Sequence, residues 1–297
     1  MLESKLANLY ATLRSFGSSL IAFSGGVDSV FLAFVANETL PGRSVAVIAD
    51  SPSLPRRELA EALEIGARFN FPTRIVKTGE FGNSDYTSNM LNRCYFCKHE
   101  LFANLIPLAR QLGLSVIAYG ENASDSSDFR PGAIAASEFQ IRAPLKEVGL
   151  TKSEIRALSA RFGLPTTDKP EMACLSSRVP HGEVVTEKKL QMIETAENLL
   201  RDLGFFDVRV RHHESTSAIF SPTQQAPSRL NNLAATQPRI ALARIEVGVP
   251  ELPRLLEATT AAHVAEELRR IGYAHVTLDL QGYRRGGAND LVPKPVA

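Results

Sequence analysis

The chain has 297 residues, of which 44% are hydrophobic and 22% charged, as is typical of ordinary globular proteins. Its formal net charge is only +1, so bulk positive charge gives no support for a nucleic-acid-binding protein. No apolar run reaches the length of a membrane span, and the N-terminus does not resemble a signal peptide. We therefore expect a cytoplasmic protein without a membrane partner.

The predicted elements of the first half alternate between strand and helix. An amphipathic helix opens the chain, and short apolar runs then alternate with helical patterns, which favours a parallel sheet with helices on both faces. The predicted helices are 3–16, 30–38, 56–69 and 152–162, and the predicted strands are 19–23, 44–49, 72–76 and 116–120. The first domain is expected to comprise residues 1–165.

The second half, residues 166–297, has the pattern of a smaller α+β domain. Residues 214–239 are rich in Ser, Thr, Gln, Asn and Pro with little periodicity, which predicts a long loop. Helices are predicted at 187–203 and before residue 271, and strands at 208–212, 240–247 and 275–280.

A glycine-rich loop joins the first strand to its helix. Gly25 and Gly26 let the backbone approach a ligand, and loop N–H groups together with a helix N-terminus form an anion cradle. An acid in such a cradle suggests a bridging divalent cation, Mg²⁺. The loop is neither a Walker loop nor a Gly-x-Gly-x-x-Gly motif. Its nucleotide-binding candidates are Ser24, Gly25, Gly26, Val27, Asp28 and Ser29.

Two further residues lie at the carboxyl ends of predicted strands. Ligands of parallel α/β sheets bind beyond those ends, so Asp50 and Gly120 are added to the nucleotide site. The polar stretch 121–132 follows the fourth strand and is predicted to be a loop beside a second substrate.

Cys94 and Cys97 form a Cys-x-x-Cys pair, one helical turn apart, after an irregular polar stretch at 79–92. Arg93 and Lys98 flank the pair and are expected to favour thiolates. The third cysteine, Cys174, lies far along the chain.

Three interpretations of the cysteines remain open. Three thiolates suit a 4Fe–4S cluster with one open iron, which could hold sulfide. Zinc with His99 as a fourth ligand is the second interpretation, and metal-free thiols are the third. Cys174 is followed by the polar candidates Ser177 and Arg178, of which Arg178 is suited to a phosphate or carboxylate.

These motifs together resemble the LarE family, ATP-dependent sulfur transferases of the PP-loop superfamily that build the nickel-pincer nucleotide cofactor of lactate racemase. The resemblance runs nearly end to end. It is carried by Ser24–Ser29, 128–132, Cys174–Arg178, 208–211, 277–280 and 282–284.

The resemblance implies a PP-loop fold and a reaction. ATP adenylates a carboxylate of pyridinium-3,5-biscarboxylic acid mononucleotide, sulfur displaces AMP, and the second carboxylate then reacts likewise. In some members the cysteine at the Cys174 position is the sacrificial sulfur donor. Members with an additional Cys-x-x-Cys resemble a branch in which a cluster delivers sulfide. This chain has all three cysteines, so the resemblance implies that it belongs to that branch.

The resemblance also implies residue roles in the second domain. Arg209, Arg211 and Arg284 would bind the substrate phosphate, and Arg209 and Arg211 share one face of a strand. Glu197 and Glu246 match positions linked to a divalent metal, although the carboxylate that the family places after Glu246 is not clearly present.

Other functions fit the same loop. A tRNA thiolase would need a basic surface, an ammonia-dependent amidotransferase would need no cysteines, and a non-catalytic nucleotide- or metal-binding module would release no pyrophosphate. The expected partners are the small mononucleotide and further copies of the chain in a homo-oligomer, with no nucleic acid.

Overall fold

The computed structural model describes residues 1–127, 131–170, 173–216 and 239–284. The chain divides into two compact units, Met1–Cys174 and Leu175–Ala297, shortly after the boundary predicted at residue 165. Asp128–Arg130 of the predicted substrate loop and residues 217–238 lie outside the described residues.

The first unit is built on a parallel four-stranded sheet, as the sequence predicts. The strand order is β3-β2-β1-β4, with β1 in the centre beside β2 and β4. The strands are β1 (Ser19–Ala22), β2 (Ser44–Asp50), β3 (Thr73–Lys77) and β4 (Val116–Tyr119).

Helices cover both faces of this sheet. They are α1 (Leu2–Phe16), α2 (Val27–Thr39), α3 (Arg56–Arg68), α4 (Ser84–Thr87), α5 (Arg93–Gln111), α6 (Pro131–Glu138), α7 (Pro144–Glu147) and α8 (Lys152–Arg161). Ile21 of β1 belongs to the core under α1, α2 and α8, whereas Leu20 and Ala22 belong to the core under α5 and α6. Burial on both faces explains why β1 is a continuous apolar run instead of an alternating one.

Two predicted loops contain regular structure. The stretch 79–92 includes a 3₁₀ turn at Glu80–Gly82 and helix α4, and the Cys-x-x-Cys pair lies in the first turn of the long helix α5. The stretch 121–132 contains a 3₁₀ turn at Ala123–Ser127 and the start of α6. Both predictions were wrong for these residues because the 3₁₀ turns and α4 are too short to show the apolar periodicity that marks a helix.

The second unit has a three-stranded mixed sheet with order β5-β6-β7, in which β5 and β6 are antiparallel and β6 and β7 parallel. The strands are β5 (Val208–Thr216), β6 (Arg239–Val247) and β7 (His275–Leu278), and the helices are α9 (Glu187–Asp202), α10 (Leu252–Leu255) and α11 (Ala258–Ile271). Residues 214–216 and 239 are therefore strand, where a loop is predicted.

The core of the second unit lies on one face of its sheet. Val208 and Val210 of β5 pack there with apolar residues of β6, α9 and α11. The alternate residues of β5, Arg209 and Arg211, lie on the opposite face, as predicted from the period of two. Within the described part of the chain, no helix is long and apolar enough to cross a membrane.

Replacing Leu32 by Ala should lower the free energy of unfolding of the protein by about 2–5 kcal/mol, because its side chain is fully buried in the α2 core. Leu91→Ala is the matched control. Its side chain is 52% exposed, and the expected change is below about 0.5 kcal/mol. Urea unfolding followed by circular dichroism measures both. Equal losses for the two variants would contradict the assigned core.

Candidate active site

The glycine-rich loop has the geometry of a tight strand-to-helix turn. Gly25 has a φ of +75°, and a Cβ built on it would lie 2.8 Å from the Cβ of Ala62 in α3. The Ser29 hydroxyl accepts a hydrogen bond from the Ser24 backbone N–H at 3.2 Å and donates to the Gly26 carbonyl at 3.0 Å. The loop is thereby closed upon itself, with the N-terminus of α2 behind it.

Gly120 packs directly against the back of this loop. A Cβ at Gly120 would lie 2.9 Å from the Ser29 nitrogen and 3.1 Å from the Asp28 carbonyl carbon, both of them backbone atoms. The glycine therefore lets the end of β4 approach the loop. Gly120, which the sequence assigns to the nucleotide site, therefore contacts the glycine-rich loop.

Asp50, at the end of β2, accepts a hydrogen bond from Arg56. Arg56 also donates to the Ser51 carbonyl at 2.7 Å, so its guanidinium links the end of β2 to the start of α3. The carboxylate is at the predicted sheet edge but is already bound by this arginine.

Asp28 forms an ion pair that sequence reasoning did not identify. Lys152 Nζ lies 2.6 Å from Asp28 Oδ2, and the two side chains are only 22% and 18% exposed. Lys152 occupies the first turn of α8, and its backbone N–H donates to the Ser124 hydroxyl at 3.0 Å. The pair brings a positive charge to a loop that has no lysine of its own.

The three cysteines gather around one arginine of the first unit. Arg93 Nη2 lies 3.9 Å from Cys174 Sγ, and its guanidinium interacts electrostatically with Cys94 and Cys97. Arg93 is 5% exposed and also donates to the fully buried Asn89. The cysteine that is most distant in sequence is therefore held near the Cys-x-x-Cys pair.

The thiols of Cys94 and Cys97 do not have the lowered pKa values expected from their basic neighbours Arg93 and Lys98. Burial, followed by the charges of Cys174 and Glu80, raises the pKa of Cys97 to about 12. Burial and the charge of Cys174 also raise the pKa of Cys94, because together they outweigh the opposite effect of the Arg93 guanidinium. The side chain of Cys94 reaches the surface, but its thiol is largely surrounded by protein atoms. The expectation of thiolates was wrong for the metal-free protein, because desolvation outweighs the adjacent cations.

The donor set fits a cluster in type and number. All three cysteines are free thiols, which are the ligands that iron–sulfur clusters take. Among the described residues, no group of three or more His, Cys, Asp or Glu side chains is arranged to hold a metal ion. Cluster binding would require the Cys94 and Cys97 thiols, whose pKa values are raised by burial, to lose their protons.

A buried carboxylate borders the thiols. Glu80 is 2% exposed, its Oε1 accepts from the Ser53 hydroxyl at 3.5 Å, and its Oε2 is buried without a hydrogen-bond partner. No sequence pattern singled out Glu80, since a lone glutamate in a polar stretch is ordinarily solvent-exposed.

In the second unit, Arg178 is bound by Glu197. The guanidinium donates two hydrogen bonds to this carboxylate, at 2.8 and 3.1 Å, and both side chains are buried. The same carboxylate accepts from Arg201 at 3.0 Å and from the backbone N–H of Val210 at 3.1 Å. These charged donors hold the pKa of Glu197 below its usual range, against the effect of burial.

Glu246 binds Arg211 in the same way. Two hydrogen bonds of 3.0 and 2.8 Å join them, and Arg244 approaches the same carboxylate at 3.2 Å. Arg211 also donates to the carbonyl of Ser177 at 3.0 Å, which ties β5 to the segment that contains Arg178.

These pairs bear on the expected divalent metal site. Glu197 and Glu246 each direct both oxygens at guanidinium groups, so a metal would have to displace buried arginines. Leaving a buried guanidinium without its carboxylate partner costs on the order of 3–5 kcal/mol. The arrangement does not fit a metal at these two residues.

The remaining arginines of the expected phosphate site are more accessible. Arg209 is partly buried, and its guanidinium lies 5.0 Å from the centre of the Tyr283 ring. Burial, followed by the charge of Arg178, lowers the pKa of Arg209. Arg284 is exposed at the end of the described chain.

Comparisons with known proteins give three informative relatives. The chain is 39% identical, over 99% of its length and all of the relative, to the uncharacterised protein slr1717 of Synechocystis. It is 28% identical over 99% of its length, and 96% of the relative, to the pyridinium-3,5-bisthiocarboxylic acid mononucleotide synthase of Lactiplantibacillus plantarum. It is 25% identical over 51% of its length, and 49% of the relative, to the tRNA-specific 2-thiouridylase MnmA of Xanthobacter autotrophicus. No model of a protein family matches.

Gly120→Ala should abolish ATP binding while the protein remains folded, because the added methyl group would push the loop backbone at Asp28 and Ser29 forward. Gly82→Ala is the control: no atom lies within 4 Å of the added Cβ, and its φ is not positive. Calorimetric titration with MgATP and circular dichroism make the comparison. Normal ATP affinity in Gly120→Ala would show that the end of β4 does not shape the site.

Proposed function

The chain belongs to the LarE family, and on that premise we propose that it is an ATP-dependent sulfurtransferase acting on pyridinium-3,5-biscarboxylic acid mononucleotide. The product would be the bisthiocarboxylic acid mononucleotide. The observation that carries the proposal is a PP-loop with Asp28 and Lys152 in the same unit as three neighbouring thiols. The likeness to a synthase of this compound supports the choice of substrate.

The first step would be adenylation of a carboxylate. A carboxylate oxygen attacks the α-phosphorus of ATP, the bond to the bridging oxygen breaks, and pyrophosphate leaves with the electron pair. The loop N–H groups and the N-terminus of α2 would bind the phosphates, and Asp28 would hold Mg²⁺, which neutralises phosphate charge when bound. Adenylation is needed because a carboxylate is a poor electrophile.

The second step would replace AMP by sulfur. A hydrosulfide or thiolate attacks the acyl carbon, the bond to the adenylate oxygen breaks, and AMP leaves. Repeating both steps at the second carboxylate gives the bisthiocarboxylate.

The second unit would bind the nucleotide phosphate of the substrate. Arg209 and Arg284 are the more exposed candidates, and Arg211 and Arg178 are further candidates whose orientation is fixed by Glu246 and Glu197. We assign these two carboxylates to the orientation of their arginines. A fixed guanidinium loses less side-chain entropy on binding a phosphate than a free one.

We assign the sulfur to a 4Fe–4S cluster held by the three cysteines. The position of Cys174 beside the Arg93 that also interacts with Cys94 and Cys97 supports this assignment. Cys94, Cys97 and Cys174 would hold the cluster, which would supply the sulfide sulfur when bound, so no cysteine would be consumed. In the alternative, the Cys174 thiolate displaces AMP, and its Cβ–S bond then breaks with loss of the α-proton, leaving dehydroalanine.

Asp28→Asn should reduce adenylation by at least about 100-fold, because the carboxylate that would hold Mg²⁺ is lost. Substrate-dependent exchange of labelled pyrophosphate into ATP measures the step, and mass spectrometry detects the thiocarboxylate. Asp85→Asn, in an exposed part of the same unit, is the matched control and should retain full activity. Wild-type protein that exchanges pyrophosphate only with tRNA or with ammonia present would contradict the proposed function.

The wild-type protein purified anaerobically should contain iron and acid-labile sulfide and turn over repeatedly with added sulfide. Serine variants of Cys94, Cys97 and Cys174 should each lose most of the iron, because each removes a ligand. His99→Ala tests the zinc interpretation and should keep the iron. Absence of iron, together with loss of one sulfur from Cys174 after a single turnover, would establish the sacrificial route instead.

A further inference from the structure

Arg93 is a buried cation beside the sulfur site, which we define as the three cysteines of the first unit. It is the first residue of α5, where the partial positive charge of the helix N-terminus disfavours a guanidinium. The residue is nevertheless only 5% exposed. A buried charge is costly unless hydrogen-bond acceptors surround it. The groups that the guanidinium contacts must therefore explain its position.

Asn89 holds one nitrogen of this guanidinium. It is fully buried, and its side-chain oxygen accepts a hydrogen bond from Arg93 Nη1. Its backbone is left-handed, with a φ of +59°, a conformation in which asparagine is enriched among non-glycine residues. The turn between α4 and α5 thereby fixes the orientation of Arg93.

Two cysteines bind the same guanidinium. Arg93 Nη2 lies 3.9 Å from the sulfur of Cys174, and the side chain of Cys94 is also a hydrogen-bond partner of Arg93. A guanidinium carries five N–H donors in a rigid planar arrangement, so it can bind Asn89 and two sulfurs at once. Arg93 therefore links the Cys-x-x-Cys pair to the cysteine that is most distant in sequence.

We propose that Arg93 is the positioning residue of the sulfur site: it holds Cys174 beside Cys94 by hydrogen bonds to both sulfurs, and its charge offsets the negative charge of the loaded site. The inference rests on the proposed sulfur transfer and extends it to a residue that is neither a cluster ligand nor a sulfur donor. Both the cluster route and the sacrificial route need Cys174 at one fixed place, so the positioning role serves either.

The charge of Arg93 has its own physical consequence. Thiolates and sulfide are anions, and their mutual repulsion is strong in a buried site. A guanidinium keeps its proton in proteins, so it remains positive whatever the state of the sulfurs. Net charge and hydrogen bonds to sulfur are among the factors that set the reduction potential of an iron–sulfur cluster. We therefore expect Arg93 to raise that potential, because a nearby cation stabilises the reduced, more negative form.

The positioning role is tested on the metal-free protein. In a Cys97→Ser background only the Cys94 and Cys174 thiols remain, and a short dibromide reagent that alkylates both bridges them, as located by peptide mass spectrometry. Arg93→Met removes every donor and should lower the bridged fraction at least about fivefold. Arg93→Lys keeps the charge but not the planar fork and should recover only part of the loss. Arg110→Met, an exposed position in the last turn of the same helix, is the control and should change the fraction less than about 1.5-fold.

The charge role is tested on the protein that holds the cluster, by a redox titration followed by electron paramagnetic resonance. Asn89→Asp places a carboxylate against Arg93 and cancels its charge, and aspartate tolerates the left-handed backbone. This variant should shift the reduction potential to a more negative value while the bridged fraction of the metal-free protein stays within about twofold of the parent. Arg110→Met should leave the potential unchanged. A merely structural arginine would not separate the two measurements in this way.

The outcomes separate this inference from the proposed function. A bridged fraction in Arg93→Met within about 1.5-fold of the parent, or an equal loss in Arg110→Met, overturns the positioning role. If circular dichroism shows that Arg93→Met does not fold, Arg93→Lys takes its place, and a bridged fraction equal to that of the parent overturns the role. An unchanged potential in Asn89→Asp overturns the charge role.

The wild type provides the remaining distinction. If it holds no iron, the proposed cluster and the charge role fail together, while bridging in the metal-free protein still decides the positioning role. If it holds the cluster but forms no thiocarboxylate, the proposed function fails while both measurements still decide the role of Arg93.

Discussion

The site of the first unit depends on the electrostatic interaction of the Asp28 carboxylate with the N-terminus of α2 and with the Lys152 ammonium group. The tight turn at Gly25 and the close approach of Gly120 place Asp28 at the start of α2. Lys152, from the start of α8, compensates its charge. The central parallel sheet makes this possible, because β1 and β4 are neighbours and the segments that follow them meet at one edge.

A different use of charge characterises the second unit. Glu197 and Glu246 bind arginines in buried bidentate pairs, and Glu197 additionally accepts the N–H of Val210 in β5, which is an edge strand of the sheet that the described residues form. An edge N–H without a partner would be a liability, so this carboxylate also completes the sheet. The same residues that suggested a metal site from family resemblance thus form an arginine-orienting framework in this chain.

The sequence predicted the parallel sheet because β1 and β2 are short apolar runs bounded by turn residues, and it predicted the loop because its residue pattern is specific. It did not predict the helical start of α5 at the Cys-x-x-Cys pair, since polar residues there mask the helical period. The ion pair of Asp28 with Lys152 was also beyond reach, because it joins residues far apart in sequence. One signal was available in the sequence. The Thr-x-x-Glu pattern at Thr151 predicts a capping box and hence a helix start, and a lysine in the first turn is unfavourable there unless a carboxylate lies nearby.

The central claim is that this chain activates a carboxylate by adenylation before sulfur enters, and an isotope experiment tests it most directly. The pyridinium substrate is labelled with ¹⁸O in both carboxylates and incubated with the wild-type protein, MgATP and a sulfide source under anaerobic conditions. The account predicts that each AMP formed carries one ¹⁸O in its phosphate, that pyrophosphate carries none, and that each product carboxyl has exchanged one labelled oxygen for sulfur. Unlabelled AMP, or ADP with labelled inorganic phosphate in place of AMP and pyrophosphate, would contradict it.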